Sequence, residues 1–372
     1  MKLLATAAAV IVCAVIPACT LANAVDLDEV WPTIGWSRAT PGEMGMDASK
    51  LHQAREYALS GSGSGFIVRS GRLVMSWGDS TRRYDFKSAT KSIGITALGL
   101  ALKDGKMTLM DKARDHHSSF GIPPDSNAAT GWVGEITMLQ LATMTAGFDK
   151  PGGYTELLFA PGSKWAYSDS GPNWLADCLT VVYNRDLKAL LFERVFGPLG
   201  IKSADLEWRA NRYRSATING IPRREFGSGI SANVDAMARI GYLYLRGGRW
   251  KGQQLIPEIF INAVRTAVPS VVGLPVANDA RSRFADASNH YGLLWWNNAD
   301  GTLDDVPTDA YWAWGSTDSL IVVIPSLDLV IARAGSAWSG NRTSNQYAIL
   351  ERFLEPVATS IRRDPPVETA DR

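Results

Sequence analysis

Ser88-Ala89-Thr90-Lys91 stands at the head of an apolar run, residues 92–103, which Asp104 and Gly105 bring to an end. The run has helical periodicity with a stop signal behind it, so the tetrapeptide occupies the first turn of a helix. A spacing of three residues puts Lys91 beside Ser88 on one helix face. A serine hydroxyl is a poor nucleophile until a neighbouring base takes its proton, and Lys91 is placed to do so. The helix N-terminus adds unused backbone N–H groups and a positive dipole end, which favour negative charge developing on an attacked oxygen. For Lys91 to accept a proton near neutrality its ammonium must be destabilised by burial or by another cation. The run Ile93-Gly94-Ile95-Thr96-Ala97-Leu98 supplies an apolar setting. Alone the tetrapeptide is weak: a chain this long carries about one by chance, and a serine N-cap followed by a solvated lysine has the same form.

Working outward, Phe66-Ile67-Val68-Arg69 and Arg72-Leu73-Val74-Met75-Ser76-Trp77 are β-rich and joined by Ser70-Gly71, a two-residue hairpin signal. Near the other end, Leu320-Ile321-Val322-Val323-Ile324 and Leu329-Val330-Ile331-Ala332 flank Pro325-Ser326-Leu327-Asp328, a second hairpin with a four-residue turn. Between them the pattern is mostly helical, over residues 92–103, 137–145, 173–183, 187–195, 234–246 and 257–266, with a last amphipathic helix near 345–354. This predicts an α+β fold: one antiparallel sheet built from both chain ends, flanked by helices, with a mainly helical lobe inserted. The α/β part spans about 25–104 and 287–362, and the lobe about 105–286. Residues 269–287 lack periodicity and read as a long loop at the rim of a site. The tail 363–372 reads as disordered.

The 372 residues are 46% hydrophobic, enough for one large catalytic domain, and the formal net charge of +1 gives no field favouring nucleic acid or an anionic membrane. A small or neutral substrate is therefore expected. Lys2, the apolar residues 3–16 and Ala22-Asn23-Ala24 read as a secretory signal peptide cleaved near Ala24, so a periplasmic or secreted protein without a membrane span is expected. Cys19 offers a second, lipoprotein-type processing site, but it follows Pro17-Ala18, an unusual context, and Ala24 is preferred. Cys13 and Cys19 fall in this leader. Cys178 is then left alone in an apolar helical stretch, which suits a buried thiol rather than a disulfide or a nucleophile. The four histidines show no metal-ligand spacing, so neither metal nor cofactor is expected.

Two more constellations bear on Ser88. In Pro161-Gly162-Ser163-Lys164-Trp165-Ala166-Tyr167-Ser168-Asp169, Pro-Gly turns the chain and Tyr167 precedes a helix. A tyrosine held near two lysines could ionise, or pass a proton to a leaving group; alone, Tyr167 is equally a residue packed under a loop. In Trp312-Ala313-Trp314-Gly315-Ser316, glycine at a strand end lets a substrate approach the backbone, whose N–H, at Gly315 or Ser316, can join that of Ser88 in an oxyanion hole. The tryptophans Trp312 and Trp314, with Trp295, Trp296 and Tyr311 nearby, are candidates to line an acyl or alcohol pocket, although core packing serves Trp295 and Trp296 as well.

In this order the three constellations resemble the serine β-lactamase and penicillin-binding-protein superfamily, in particular its class C-like branch with esterases and 6-aminohexanoate-dimer hydrolases. Further matching stretches are Ile136-Thr137-Met138-Leu139-Gln140-Leu141-Ala142, Phe226-Gly227-Ser228-Gly229 and Tyr291-Gly292-Leu293-Leu294-Trp295-Trp296. The resemblance implies Ser88 as nucleophile, Lys91 as its base and Tyr167 in proton transfer, with an acyl-enzyme that water hydrolyses. Two departures matter. Asp169 stands where a β-lactamase has a substrate-binding amide, and it adds negative charge beside Lys91, which favours the protonated lysine. Ala313 stands where the family's strand lysine meets a carboxylate. Both point away from β-lactams and toward an ester or amide of a small molecule, ester first. The alternatives are a class C-like β-lactamase or D-alanyl-D-alanine carboxypeptidase, and, more remotely, a silent binding protein of the same fold. A Ser-His-Asp hydrolase is disfavoured by the absence of a Gly-x-Ser-x-Gly elbow.

Overall fold

The computed structural model describes residues 30–279, 283–338 and 347–361. The expected signal peptide, the tail 363–372 and the first residues of the last expected helix lie outside them.

The two sequence hairpins form as expected. Ser70 and Gly71 have φ of 47° and 73°, the left-handed pair that a two-residue turn between right-twisted strands requires. They join β2 (Ser64–Arg69) to β3 (Arg72–Trp77). The later hairpin is β6 (Leu320–Ile324) and β7 (Leu329–Ala334), closed by a 3₁₀ turn over Pro325–Leu327 and left-handed Asp328. With β1 (Ser37–Arg38), β4 (Trp296–Asn297) and β5 (Tyr311–Trp314) they make one sheet in the order β1-β3-β2-β7-β6-β5-β4. Only β1 and β3 run parallel. The chain ends meet where β2 pairs with β7, Ile67 opposite Ile331.

Every residue of β6 and β7 is buried, which follows from cover on both faces. On one face α7 (Val234–Leu245) lies so close that a Cβ at Gly241 would collide with Val330 and Ile321. On the other lie α1 (Ala48–Leu59) and α9 (Ala348–Ala358). Arg333 of β7 reaches the Ala58 carbonyl of α1, and Phe353 of α9 packs edge-on to Trp77 of β3. Helix α7 was expected in the inserted lobe; its apolar stripe instead covers the sheet.

The expected helix 92–103 begins earlier and is interrupted at Ile95, giving α2 (Ala89–Gly94) and α3 (Thr96–Lys103). The expected helix 137–145 shrinks to α4 (Met138–Ala142), opened by a Thr137/Gln140 capping box and ended before Met144, whose φ is 64°. Then follow α5 (Ser170–Tyr183), α6 (Leu187–Leu191) and α8 (Glu258–Arg265). The inserted stretch is not purely helical, since Ile230–Ala232 pairs with both Leu206–Trp208 and Tyr84–Asp85. That small sheet fixes the approach to Ser88. Cys178 is buried in α5, as expected. Among the described residues no helix is long and apolar enough to cross a membrane.

Candidate active site

The chain enters α2 from the strand Tyr84–Asp85 through Lys87, whose φ of 51° is uncommon for a residue with a side chain. Asp85 stabilises that turn by accepting from the Lys87 N–H at 3.0 Å and from its Nζ at 2.6 Å. Phe86 N–H donates to the Ile230 carbonyl at 3.0 Å and Ile230 N–H to Thr90 Oγ1 at 3.1 Å, which locks the first turn of α2 to the small sheet. Ser88 is the N-cap, yet its hydroxyl caps nothing. It is directed instead toward Lys91 and Tyr167.

Lys91 is 1% exposed, and its Nζ stands 3.3 Å from Ser88 Oγ and donates to the Gly227 carbonyl at 2.7 Å. Its third partner is the Asp169 carboxylate. Gly227 is held by Asn173, whose Oδ1 accepts from the N–H groups of Phe226 and Gly227, each at 2.9 Å, while its Nδ2 donates to Gly152 O at 2.8 Å. Asp169 and Asn173 thus serve the site from the same end of α5, four residues apart.

The sequence left the charge of Asp169 beside Lys91 uncompensated, and the fold supplies the missing cation. Lys150 binds the other carboxylate oxygen of Asp169. Burial pushes the Asp169 carboxyl up, but the two ammonium groups and their hydrogen bonds outweigh it and hold it below the usual carboxylate range. The carboxylate is therefore a fixed anion between two lysines.

Lys91 Nζ and Lys150 Nζ lie 4.9 Å and 5.3 Å from the centre of the Tyr167 ring. The ring stacks on Phe284 at 4.7 Å and runs parallel to Trp296 at 6.0 Å, each with 17° between planes. Its hydroxyl lies near the Ser88 side chain. Burial, and then the charge of Asp169, push that hydroxyl up to about 12, against the pull of Lys150 and Ser88. The sequence allowed an ionised tyrosine; the structure favours a neutral one.

Gly315 follows β5 and comes so near α2 that a Cβ there would lie 2.0 Å from the Phe86 carbonyl. The close approach is as expected, but the Gly315 N–H donates to Ser319 O at 2.9 Å and is not free for a substrate. Ser316, one residue on, shares the cavity wall with Ser88, and the Ser88 N–H has no hydrogen-bond partner among the described residues. Ser88 and Ser316 therefore face the same cavity, with Gly315 providing clearance between β5 and α2.

These groups open into a cavity of about 480 Å³, within the range of small-molecule sites. Its walls include Trp314, Trp296, Phe284, Tyr213, Lys150 and Arg283. Trp312, expected beside Trp314, is 1% exposed and does not reach the cavity. Trp295 is likewise internal, donating to the Ser92 carbonyl at 2.9 Å and so anchoring α2. Ala313 is fully buried. The expected rim loop does supply Asn278, Asp279, Arg283 and Phe284. Lys150, Asn173, Phe284 and Tyr213 went unrecognised as site residues. Asn173 could have been found from its i,i+4 relation to Asp169. Lys150 could not, because Asp149-Lys150-Pro151-Gly152-Gly153 has no periodicity to fix a direction.

The family model described as Beta-lactamase matches residues 63–352, and this span contains every residue of the site. An uncharacterized protein of Alkalihalophilus pseudofirmus is 21% identical over 242 residues, 61% of this chain and 68% of the relative. Among solved structures, a candidate 6-aminohexanoate-dimer hydrolase from Bacillus anthracis superposes with a TM-score of 0.66 at 13% identity, covering 89% of this chain and 88% of that one. A family VIII carboxylesterase gives 0.59 at 14% identity, over 85% and 99%. At such identities the superpositions establish the fold, and with the matched span they lead to one assignment: the chain belongs to the Beta-lactamase family.

Proposed function

We propose that the protein is a serine hydrolase that cleaves a carboxylic ester, or less readily an amide, of a small molecule through an acyl-enzyme. The observation that carries this is the Ser88 Oγ to Lys91 Nζ distance of 3.3 Å, with Lys91 buried behind Ser88 and Ser88 on the wall of a cavity. Lys91 takes the Ser88 proton as Oγ attacks the carbonyl carbon. The N–H of Ser88 and that of the Ser316 position receive the developing oxyanion. Tyr167, neutral and close to Ser88, gives its proton to the departing alkoxide or amine and takes back the one that Lys91 received from Ser88, so that both groups return to their starting states. Water then repeats the sequence on the acyl-enzyme. The carboxylesterase and 6-aminohexanoate-dimer hydrolase among the structural neighbours suit the ester and amide readings. The sequence of residues 1–24 supports export to the periplasm or beyond.

With Ala313 buried where the resemblance placed a lysine, a β-lactam carboxylate lacks one charge-assisted hydrogen bond. Such a bond is worth about 1.5–3 kcal/mol. The test is to incubate purified protein with an alkyl fluorophosphonate, short p-nitrophenyl esters, linear amides and nitrocefin, with Ser88→Ala as control. Labelling of Ser88 and ester turnover that falls at least about 10³-fold in the variant are expected, with nitrocefin slower than esters. Full esterase activity in Ser88→Ala would overturn the proposal.

A further inference from the structure

We propose that Lys150, acting through Asp169, is the positioning residue that lets Lys91 serve as a base near neutral pH; this rests on the hydrolase reading above. The geometry is a chain of alternating charge. Asp169 gives one carboxylate oxygen to Lys91 and the other to Lys150, and both ammonium groups stand against the Tyr167 ring. A carboxylate held by Lys91 alone would keep that lysine protonated, and a protonated lysine cannot take the proton of Ser88. Lys150 divides the carboxylate's charge and adds a positive charge close to Lys91; both effects favour release of a proton from Lys91.

The position of Lys150 is built. Its carbonyl accepts from the Asp169 N–H at 3.0 Å, so its backbone is tied to the residue its side chain grips. The following Gly152 is held by Asn173, and Gly153 O accepts from Arg214 at 3.1 Å. Arg214 is itself buried against Asp177 at 2.8 Å. The Lys150 side chain remains about half exposed at the cavity wall. It can therefore be altered without opening a core.

On α2, Lys91 faces Ser88; from the other elements it faces Asp169, the Tyr167 ring and the Gly227 carbonyl. Lys87 is committed to Asp85. Asp279 and Arg283 lie on the opposing loop, and Tyr291 is buried behind Tyr167 and remains protonated.

The test is the rate of Ser88 labelling by an alkyl fluorophosphonate against pH, followed by intact mass, with the acidic limb of p-nitrophenyl ester kcat/KM as a second readout. Lys150→Met removes the positive charge, so the acidic limb moves to higher pH. Asp169→Asn removes the negative charge, so the limb moves to lower pH. Each shift is on the order of one pH unit, and Lys150→Arg restores the wild-type limb. Should Lys150→Met fail to fold, Lys150→Gln makes the same charge change. Opposite shifts support the proposal, because mere loosening of the site would not move two limbs in opposite directions. Coincident limbs, or shifts in one direction, overturn it while leaving Ser88 as nucleophile. Absence of labelling in the wild-type protein would overturn the hydrolase reading itself.

Discussion

Tyr167 is held neutral by the same surroundings that hold Asp169 charged. Its phenol is partly buried and sits beside a carboxylate, so ionisation would place two anions together in a poorly solvated setting. In the hydrolysis proposed above its part is accordingly that of a proton donor. Tyr167→Phe keeps the ring that stacks on Phe284 and runs parallel to Trp296, and removes only the hydroxyl. It is expected to fold normally and to lose roughly 10²–10⁴-fold in kcat with little change in KM, as steady-state ester hydrolysis would show. Since a hydroxyl raised to about 12 keeps its proton below that value, no alkaline fall in wild-type rate arises from Tyr167 until pH nears about 12. A fall at lower pH that disappears in Tyr167→Phe would refute this assignment.

At the level of elements, the site is the place where the N-terminus of α2 meets the end of β5 and the start of α5. The approach of β5 to α2 is possible because Gly315 has no side chain: a Cβ there would lie 2.0 Å from Phe86 O and 3.5 Å from Ala89 N. Backbone cannot give way as a side-chain tip can. Gly315→Ala is thus expected to push β5 from the Ser88 turn, widening the oxyanion site. A misplacement near 1 Å costs about 10²-fold, so kcat/KM for an ester is expected to fall by about that factor. Circular dichroism would show a retained fold. An unchanged kcat/KM would mean that β5 does not complete the oxyanion site. The start of α5 plays the complementary part. Its first turns present Asp169 to the lysines and Asn173 to the Gly227 loop, so one helix end sets both the charge and the carbonyl that Lys91 meets.

For the molecule as a whole, a hydrogen-bonded pair near the sheet edge, buried His290 and more exposed Asp300, ties stability to pH. His290 Nδ1 bonds Asp300 Oδ2 at 2.9 Å, and its ring packs edge-on to Tyr347 and against Trp296, which walls the cavity. Burial pushes the Asp300 carboxyl up, but His290 and Thr302 outweigh it and hold it to about 2, below the ordinary 3.8. A depressed carboxyl contributes stability that is complete above its unfolded value and lost as pH falls through the folded one. With solvent screening of this partly exposed carboxylate, Asp300→Asn is thus expected to lower stability by about 1 kcal/mol at pH 7. That deficit shrinks as pH falls from about 4 toward 2, as urea unfolding at several pH values would show; a deficit independent of pH would contradict it. Of this architecture, the sequence made the two hairpins, the helix carrying Ser88 and Lys91, and the order of the three constellations legible, because periodicity and turn chemistry are local. It misjudged Trp312, since alternation along a strand gives a face but not how far along it a cavity extends. It gave α7 to the lobe, since an apolar stripe does not name what it covers. It assigned a donor role to Gly315, whose N–H is taken by Ser319 through the turn that follows. What the sequence determined by itself is a serine and a lysine on one helix turn and an aspartate where an amide was expected. Only the tertiary structure decided how that aspartate is balanced. Lys150 is 19 residues from Asp169 and 59 from Lys91, and a charge at such separations acts through space, where no local pattern records it.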